Sequence, residues 1–336
     1  MSLQSPRDFY KPFHYPRAYE YWEKQQNAHW LPFEVAMSKD INDWSHKLTE
    51  SERLVVGQIL KSFTQTEISV NDYWSRKVSK WFPHPEICMM ASAFASIETI
   101  HTVGYSYLND SLGLDDYSAF LQDPTAVAKL NALRSVKTKN KRDIARSLAI
   151  FSGFTEGVNL FSSFAILMSF ARFNLLEGVE TIVSWSIRDE SLHSEAGCWL
   201  FRTFIEENPE IWDDELKKDI YDAARLCVKL EDDFIDNAFS LGMIRGLDPA
   251  DLKNFIRMRA NAKLTDLGLK TNWKNIDQES LKRMAWFDEL SGGTKFADFF
   301  SGRITDYSRS GFTVDNLFEE DTETKQENKE VSDGVG

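Results

Sequence analysis

Two carboxylate and imidazole patterns, set at nearly equal spacing inside apolar stretches, limit the fold of this chain more than any other feature. Glu67 is followed thirty-one residues later by Glu98-Thr-Ile-His101, and Glu156 thirty-four residues later by Glu190-Ser-Leu-His193. On a helix, a spacing of three residues puts Glu and His on one face, so both side chains can reach one ion. Glu156 lies in FSGFTEGVNLFSSFAIL, where a carboxylate faces an apolar interior. Burial of such a charge is costly unless a cation compensates it. The six residues Glu67, Glu98, His101, Glu156, Glu190 and His193 are therefore expected to hold two metal ions inside a helical bundle. Oxygen-rich ligation with some imidazole suits ions of Fe or Mn type and is too hard for Cu(I).

The rest of the sequence agrees with long helices. Only nine Pro and 16 Gly occur in 336 residues, and the 42% apolar share is enough for a substantial core. Thr49-Glu50-Ser51-Glu52 reads as a capping box, and a helix is expected from there to about Lys80. Trp81-Phe82-Pro83-His84-Pro85 breaks the run, because each proline disfavours helix at the residue before it. Further long helices are expected over about 86–109, 143–173 and 175–207, with shorter amphipathic ones near 213–241, 249–264 and 278–289. Residues 1–33, rich in Pro and aromatics, read as an arm over the body, with a short helix near 18–25. The main domain then covers 34–290, a flexible segment 291–318, and a polar acidic tail 319–336 of disordered composition.

A net charge of −13 argues against a nucleic-acid partner. Cys88, Cys198 and Cys227 are odd in number and widely spaced, which points to a reducing cytoplasm and away from a disulfide framework. The N-terminus has no signal-peptide core, and the greasiest run, 158–171, is too short to span a bilayer, so the chain is expected to be soluble. Asp43-Trp-Ser-His46 has a similar spacing to the two patterns but no partner Glu, and its His is expected to be solvated or locally bonded. His14, His29 and His84 read as structural.

One Glu-x-x-His in a Glu-rich chain would carry little information; two, each preceded by a Glu on its own helix, carry a great deal. That arrangement is the signature of ferritin-like di-iron and di-manganese carboxylate bundles, so the fold expected is an all-α, ferritin-like four-helix bundle elaborated with extra helices. The runs ETIHTVGY, SIRDESLH and HWLPFEV take the comparison further. Over roughly residues 15–318 the chain resembles the radical-generating small subunit, R2, of class I ribonucleotide reductase. The resemblance implies a homodimer that passes an oxidant to a large catalytic subunit, with an accessory flavoprotein as a candidate activator.

By the same resemblance, Tyr105 matches the radical tyrosine, Trp30 the aromatic relay residue and Asp189 the carboxylate linking Trp30 to His101. Tyr307 resembles the tail tyrosine that carries the oxidant across the subunit interface, and Phe312, Val314, Leu317 and Phe318 its apolar docking anchors. The chain continues past Phe318, whereas the usual tail ends soon after its anchors. Most members have Asp as first ligand; Glu67 resembles the variants that use manganese, so Mn/Mn or Mn/Fe is expected ahead of Fe/Fe.

Three other di-metal classes share the ligand pattern. An R2-like ligand-binding oxidase forms a crosslink through a tyrosine where this chain has Phe151. A ferritin-type ferroxidase or storage protein would leave Trp30, Asp189 and Tyr307 without use, and a hydroxylase or desaturase component would require a substrate cavity beside the metals.

Overall fold

The expected capping box forms: the Thr49 backbone N–H donates to Glu52 Oε2 at 2.9 Å, and the Glu52 N–H to Thr49 Oγ1 at 3.3 Å. Glu52 is also gripped by Arg245 through two bonds of 2.6 and 2.7 Å, which ties this helix start to a distant loop. The computed structural model describes residues 2–114, 116, 127, 128 and 138–292, and all regular elements among these are helical. In chain order they are α1 (Pro16–Asn27), α2 (Ser38–His46), α3 (Glu50–Asp72), α4 (Pro85–Ser111), α5 (Lys141–Leu148), α6 (Phe161–Ser169), α7 (Glu177–Glu207), α8 (Asp214–Ser240), α9 (Pro249–Asp266), α10 (Gln278–Met284) and α11 (Trp286–Leu290). The expected tail residues Tyr307, Phe312, Val314, Leu317 and Phe318 lie outside the described residues, as does the acidic segment 319–336.

α3 packs along α4, α4 meets α7, and α7 lies against the segment that contains α5 and α6, whose far end returns to α3. These four members close a bundle, with α1 laid across α4 and α7 and with α8 and α9 covering the outside. The N-terminal arm is firmly seated. Leu3, Tyr21, Gln25 and Trp30 are buried, and Glu86 at the start of α4 accepts the backbone N–H groups of His14 and Tyr15 at 2.9 and 3.0 Å. Helix α4 is long and apolar enough to cross a membrane by composition, but it is largely buried and carries Glu98 and His101 in the core.

The third bundle member departs from the single helix expected over 143–173. α5 runs into a π-helical segment, Ala149–Thr155, followed by turns and then α6. Glycine allows the backbone to close up here: a Cβ on Gly157 would stand 2.3 Å from the Gly153 carbonyl oxygen. α3 likewise continues into a π segment, Tyr73–Val78, before ending at Trp81. The stacked rings of Tyr73 and Phe151, 3.6 Å apart and 11° from parallel, join the two π segments. Such insertions are concentrated at functional sites.

The start of α7 has no cap of its own, with Asn174 and Leu176 in the left-handed region. Helix α2 supplies one instead. Asp40 accepts from the N–H groups of Gly178 and Val179 at 3.0 and 2.9 Å, and Asp43 from Leu176 at 3.2 Å. Gly178 has to be glycine, since a Cβ would meet Met37 Sδ at 2.8 Å and Asp40 Oδ2 at 2.9 Å. Asp43 is thus a buried cap while His46 is exposed, in line with the solvated or local role expected for that histidine.

Candidate metal centre

Each bundle member delivers its share of the six side chains: Glu67 from α3, Glu98 and His101 from α4, Glu156 from the turn after the second π segment, and Glu190 and His193 from α7. All six are 0% exposed. Their ligand atoms fall into two groups, Glu67, Glu98, His101, Glu190 and Glu98, Glu156, Glu190, His193, with the atoms of each group within 4.8 Å of one another. Glu98 and Glu190 belong to both, so each of these carboxylates could serve either position. Glu98 shows it directly, with Oε2 3.2 Å from His101 Nδ1 and Oε1 2.8 Å from His193 Nδ1.

The donor set fits two cations. Both oxygens of Glu67, both of Glu190 and Oε2 of Glu156 are buried and make no hydrogen bond among the described residues. Such groups are costly to bury without a partner. Burial raises Glu67, Glu156 and Glu190 above the ordinary glutamate value, and the neighbouring carboxylates add to the rise. Burial also pushes Glu98 upward, but His101 and His193 outweigh it and hold its carboxyl low. His101 is held above the ordinary imidazole value, as Glu98, Asp189 and Glu190 overcome its burial. Raised values of this kind mark groups that a cation would bring back to the ionised, ligating form.

The two histidines differ in what stands behind them. His101 Nε2 lies 3.2 Å from Asp189 Oδ2, which also accepts the Trp30 indole N–H at 2.8 Å. Asp189 Oδ1 accepts from Gln25 at 3.1 Å and from Arg188 at 3.2 Å. Burial favours its neutral form, yet Arg188, His101 and Trp30 together hold its carboxyl below the usual aspartate value. Asp189 is therefore an anion that makes His101 Nε2 the protonated nitrogen and leaves Nδ1 free for a ligand bond. His193 Nε2 meets the Gln25 amide oxygen at 3.1 Å. One glutamine thus spans the backs of both halves, donating to Asp189 and accepting from His193.

Trp30 is 1% exposed, stacks over His101 at 5.9 Å and contacts Trp185 at 5.2 Å. It can lie against α4 because residue 104 is glycine: a Cβ there would meet the indole Cη2 at 3.2 Å. Tyr105 sits one turn beyond His101, fully buried, with ring centroids 6.4 Å apart. No carboxylate or imidazole is hydrogen-bonded to its hydroxyl among the described residues; burial first, then Glu67, raises its pKa well above the ordinary tyrosine value, against a smaller lowering by His101 and Ser186. His14, His29 and His46 are exposed, and His84 is turned to the Ser2 carbonyl at 2.9 Å, so none joins the cluster.

Four participants were not read from the sequence: Gln25, Trp74, Gly104 and Arg188. Only Trp74 left a trace, since it stands seven residues after Glu67 and hence on the same helical face; its indole donates to Glu156 Oε1 at 2.6 Å.

Comparison with known proteins agrees with this geometry. The family described as "Ribonucleotide reductase, small chain" matches residues 7–280. The probable ribonucleoside-diphosphate reductase small subunit 376L of Invertebrate iridescent virus 6 is 33% identical, over 92% of this chain and 96% of its own. The ribonucleoside-diphosphate reductase subunit beta of Chlamydia pneumoniae is 28% identical, over 89% of this chain and 90% of its own. Among solved structures, the ribonucleotide reductase R2 subunit from Clostridium botulinum superposes with a TM-score of 0.77 at 22% identity, covering 87% of this chain and 94% of that one. The dimanganese(II)-NrdF of Streptococcus sanguinis gives a TM-score of 0.72 at 20% identity, covering 83% and 99%. The fold is thus the ferritin-like helical one expected, and the chain belongs to the ribonucleotide reductase small-chain family.

Proposed function

We propose that this chain generates and holds the oxidant that starts ribonucleotide reduction in a large partner subunit, with the six buried residues binding two metal ions. The observation that carries the reading is the hydrogen-bonded line from His101 through Asp189 to Trp30, built behind one half of the cluster only. Two redox-active ions in this site would supply the one-electron oxidising capacity. The chain's own residues hold the ions, keep water out and give the oxidising equivalent a defined way outward. Asp189 keeps the proton on His101 Nε2 and accepts from the indole, so Trp30 and the ligand histidine share one carboxylate oxygen. Tyr307 would continue the route, and Phe312, Val314, Leu317 and Phe318 would dock the tail on the large subunit.

Manganese, alone or with iron, is favoured by Glu67, and the name of the S. sanguinis relative, dimanganese(II)-NrdF, is in keeping with this. The surroundings of the Tyr105 hydroxyl support an oxidant that stays on the metals. Oxidation of a tyrosine in an apolar interior requires a base to take the phenolic proton, and Tyr105 has no hydrogen-bonded base among the described residues. A homodimer, a cytoplasmic site, to which three free cysteines are suited, and a flavoprotein activator complete the proposal. The test is nucleotide reduction by the manganese-loaded or iron-loaded full chain with its large subunit, alongside metal analysis and EPR. Activity with either metal supports the reading; a wild-type chain that binds neither Fe nor Mn overturns it.

A further inference from the structure

The two carboxylates that are not shared, Glu67 and Glu156, are held in opposite ways. Glu67 has no hydrogen bond on either oxygen among the described residues, so no donor holds it in one orientation. Glu156 has Oε1 engaged by the Trp74 indole at 2.6 Å, while Oε2 is bare. This is a short bond between two fully buried groups, and it becomes charge-assisted once the carboxylate is ionised, as a metal ligand must be. The indole is itself fixed. Trp74 is 0% exposed, its ring meets Phe94 edge to face at 4.9 Å and His193 at 6.0 Å, and it stands at the start of the π segment tied to Phe151 through Tyr73.

We propose that Trp74 is a positioning residue for the metal position formed by Glu98, Glu156, Glu190 and His193, clamping the Glu156 carboxylate in one orientation, with Oε1 held at the indole and 4.0 Å from His193 Nδ1. Helix α3 then serves both positions, the first through the Glu67 carboxylate and the second, two turns later, through an indole N–H. The inference rests on the two-metal reading of the site. Loss of the clamp leaves Glu156 free to swing, and the orientation it supplied must be recovered at each binding event. Groups that orient a metal ligand in this manner are worth about 10–100-fold in metal affinity.

The test is titration of the metal-free, full-length protein with Mn(II), with free Mn(II) counted by its EPR signal and folding checked by circular dichroism. The wild type is expected to take up two ions per chain. Trp74→Phe, which keeps an aromatic ring and removes the N–H, is expected to bind one ion with unchanged affinity and the other about 10–100-fold more weakly. If Trp74→Phe does not fold, Trp74→Leu takes its place under the same expectation. The inference is overturned if the Trp74 variant binds both ions as the wild type does, or if it folds but loses both. A wild type that binds no Mn(II) or Fe(II) would instead remove the two-metal reading itself.

Discussion

The His101 half and the His193 half of the site use the same ligand types and differ in what lies behind them. Behind His101 stands an anion, Asp189, fastened by Arg188 and bonded on to Trp30; behind His193 stands a neutral amide, Gln25. The difference teaches that the outward connection does not come from the ligand pattern, which is repeated, but from what the ligands lean on. A carboxylate makes its imidazole a stronger donor and carries the contact further; an amide only orients the ring.

The most damaging change should be one that ignores this difference. Glu98→Ala removes a carboxylate common to both halves and is expected to reduce metal content from two ions per chain to fewer than one, read by elemental analysis. Retention of both ions would refute the shared role of Glu98. Next come substitutions that separate the halves. Asp189→Asn should leave two ions bound while lowering nucleotide reduction with the large subunit about 100-fold. Gln25→Leu should weaken one metal position about tenfold and cost no more than that in reduction. Equal loss of activity in the two variants would abolish the distinction between the halves.

A smaller effect concerns protons. Glu67, Glu156 and Glu190 have raised values in the folded chain, and His101 is raised as well. The folded metal-free protein therefore holds protons that the unfolded chain releases. The stabilisation from the glutamates is present below their ordinary value of 4.5, and that from His101 below the ordinary imidazole value of 6.5; each is lost as pH rises through the higher folded values. The Tm of the metal-free protein should fall by about 5 °C or more between roughly pH 5 and pH 8. Bound ions should remove that slope, and metal affinity should rise with pH over the same range. Scanning calorimetry with and without Mn(II) would reveal a flat metal-free profile if this account is wrong.

Least of all should come from Tyr105→Phe, expected to keep activity within about twofold if the oxidant stays on the metals. Loss of activity together with a tyrosyl EPR signal in the wild type would move the oxidising equivalent onto Tyr105.

The cluster of six side chains was legible because its information is local. Glu98 with His101, and Glu190 with His193, share a helical face by spacing alone, and apolar surroundings mark them as interior. The long helices, the Pro83 and Pro85 break and the Thr49 to Glu52 cap were legible for the same reason. What escaped depends on contacts between distant segments. Nothing near Gln25 marks it as the partner of His193, 168 residues away, and nothing near Gly178 marks Asp40 as the cap of its helix. The helix expected across 143–173 looked continuous because helical period does not register an inserted residue; the π segment before Glu156 is selected by packing against α7, α8 and α9.

The placement of Gln25 on α1 has a consequence for how the centre is built. Its amide nitrogen faces Asp189 and its oxygen faces His193, so one orientation of one side chain assigns the tautomer of His193 and helps fix that of His101. Trp30, the next member of the same arm, completes the anchoring of Asp189. A chain trimmed of its first thirty residues would retain all six clustered side chains, but His193 would lose the amide that orients it and Asp189 would lose two of its donors. Part of the aim, in this protein, is supplied from outside the bundle.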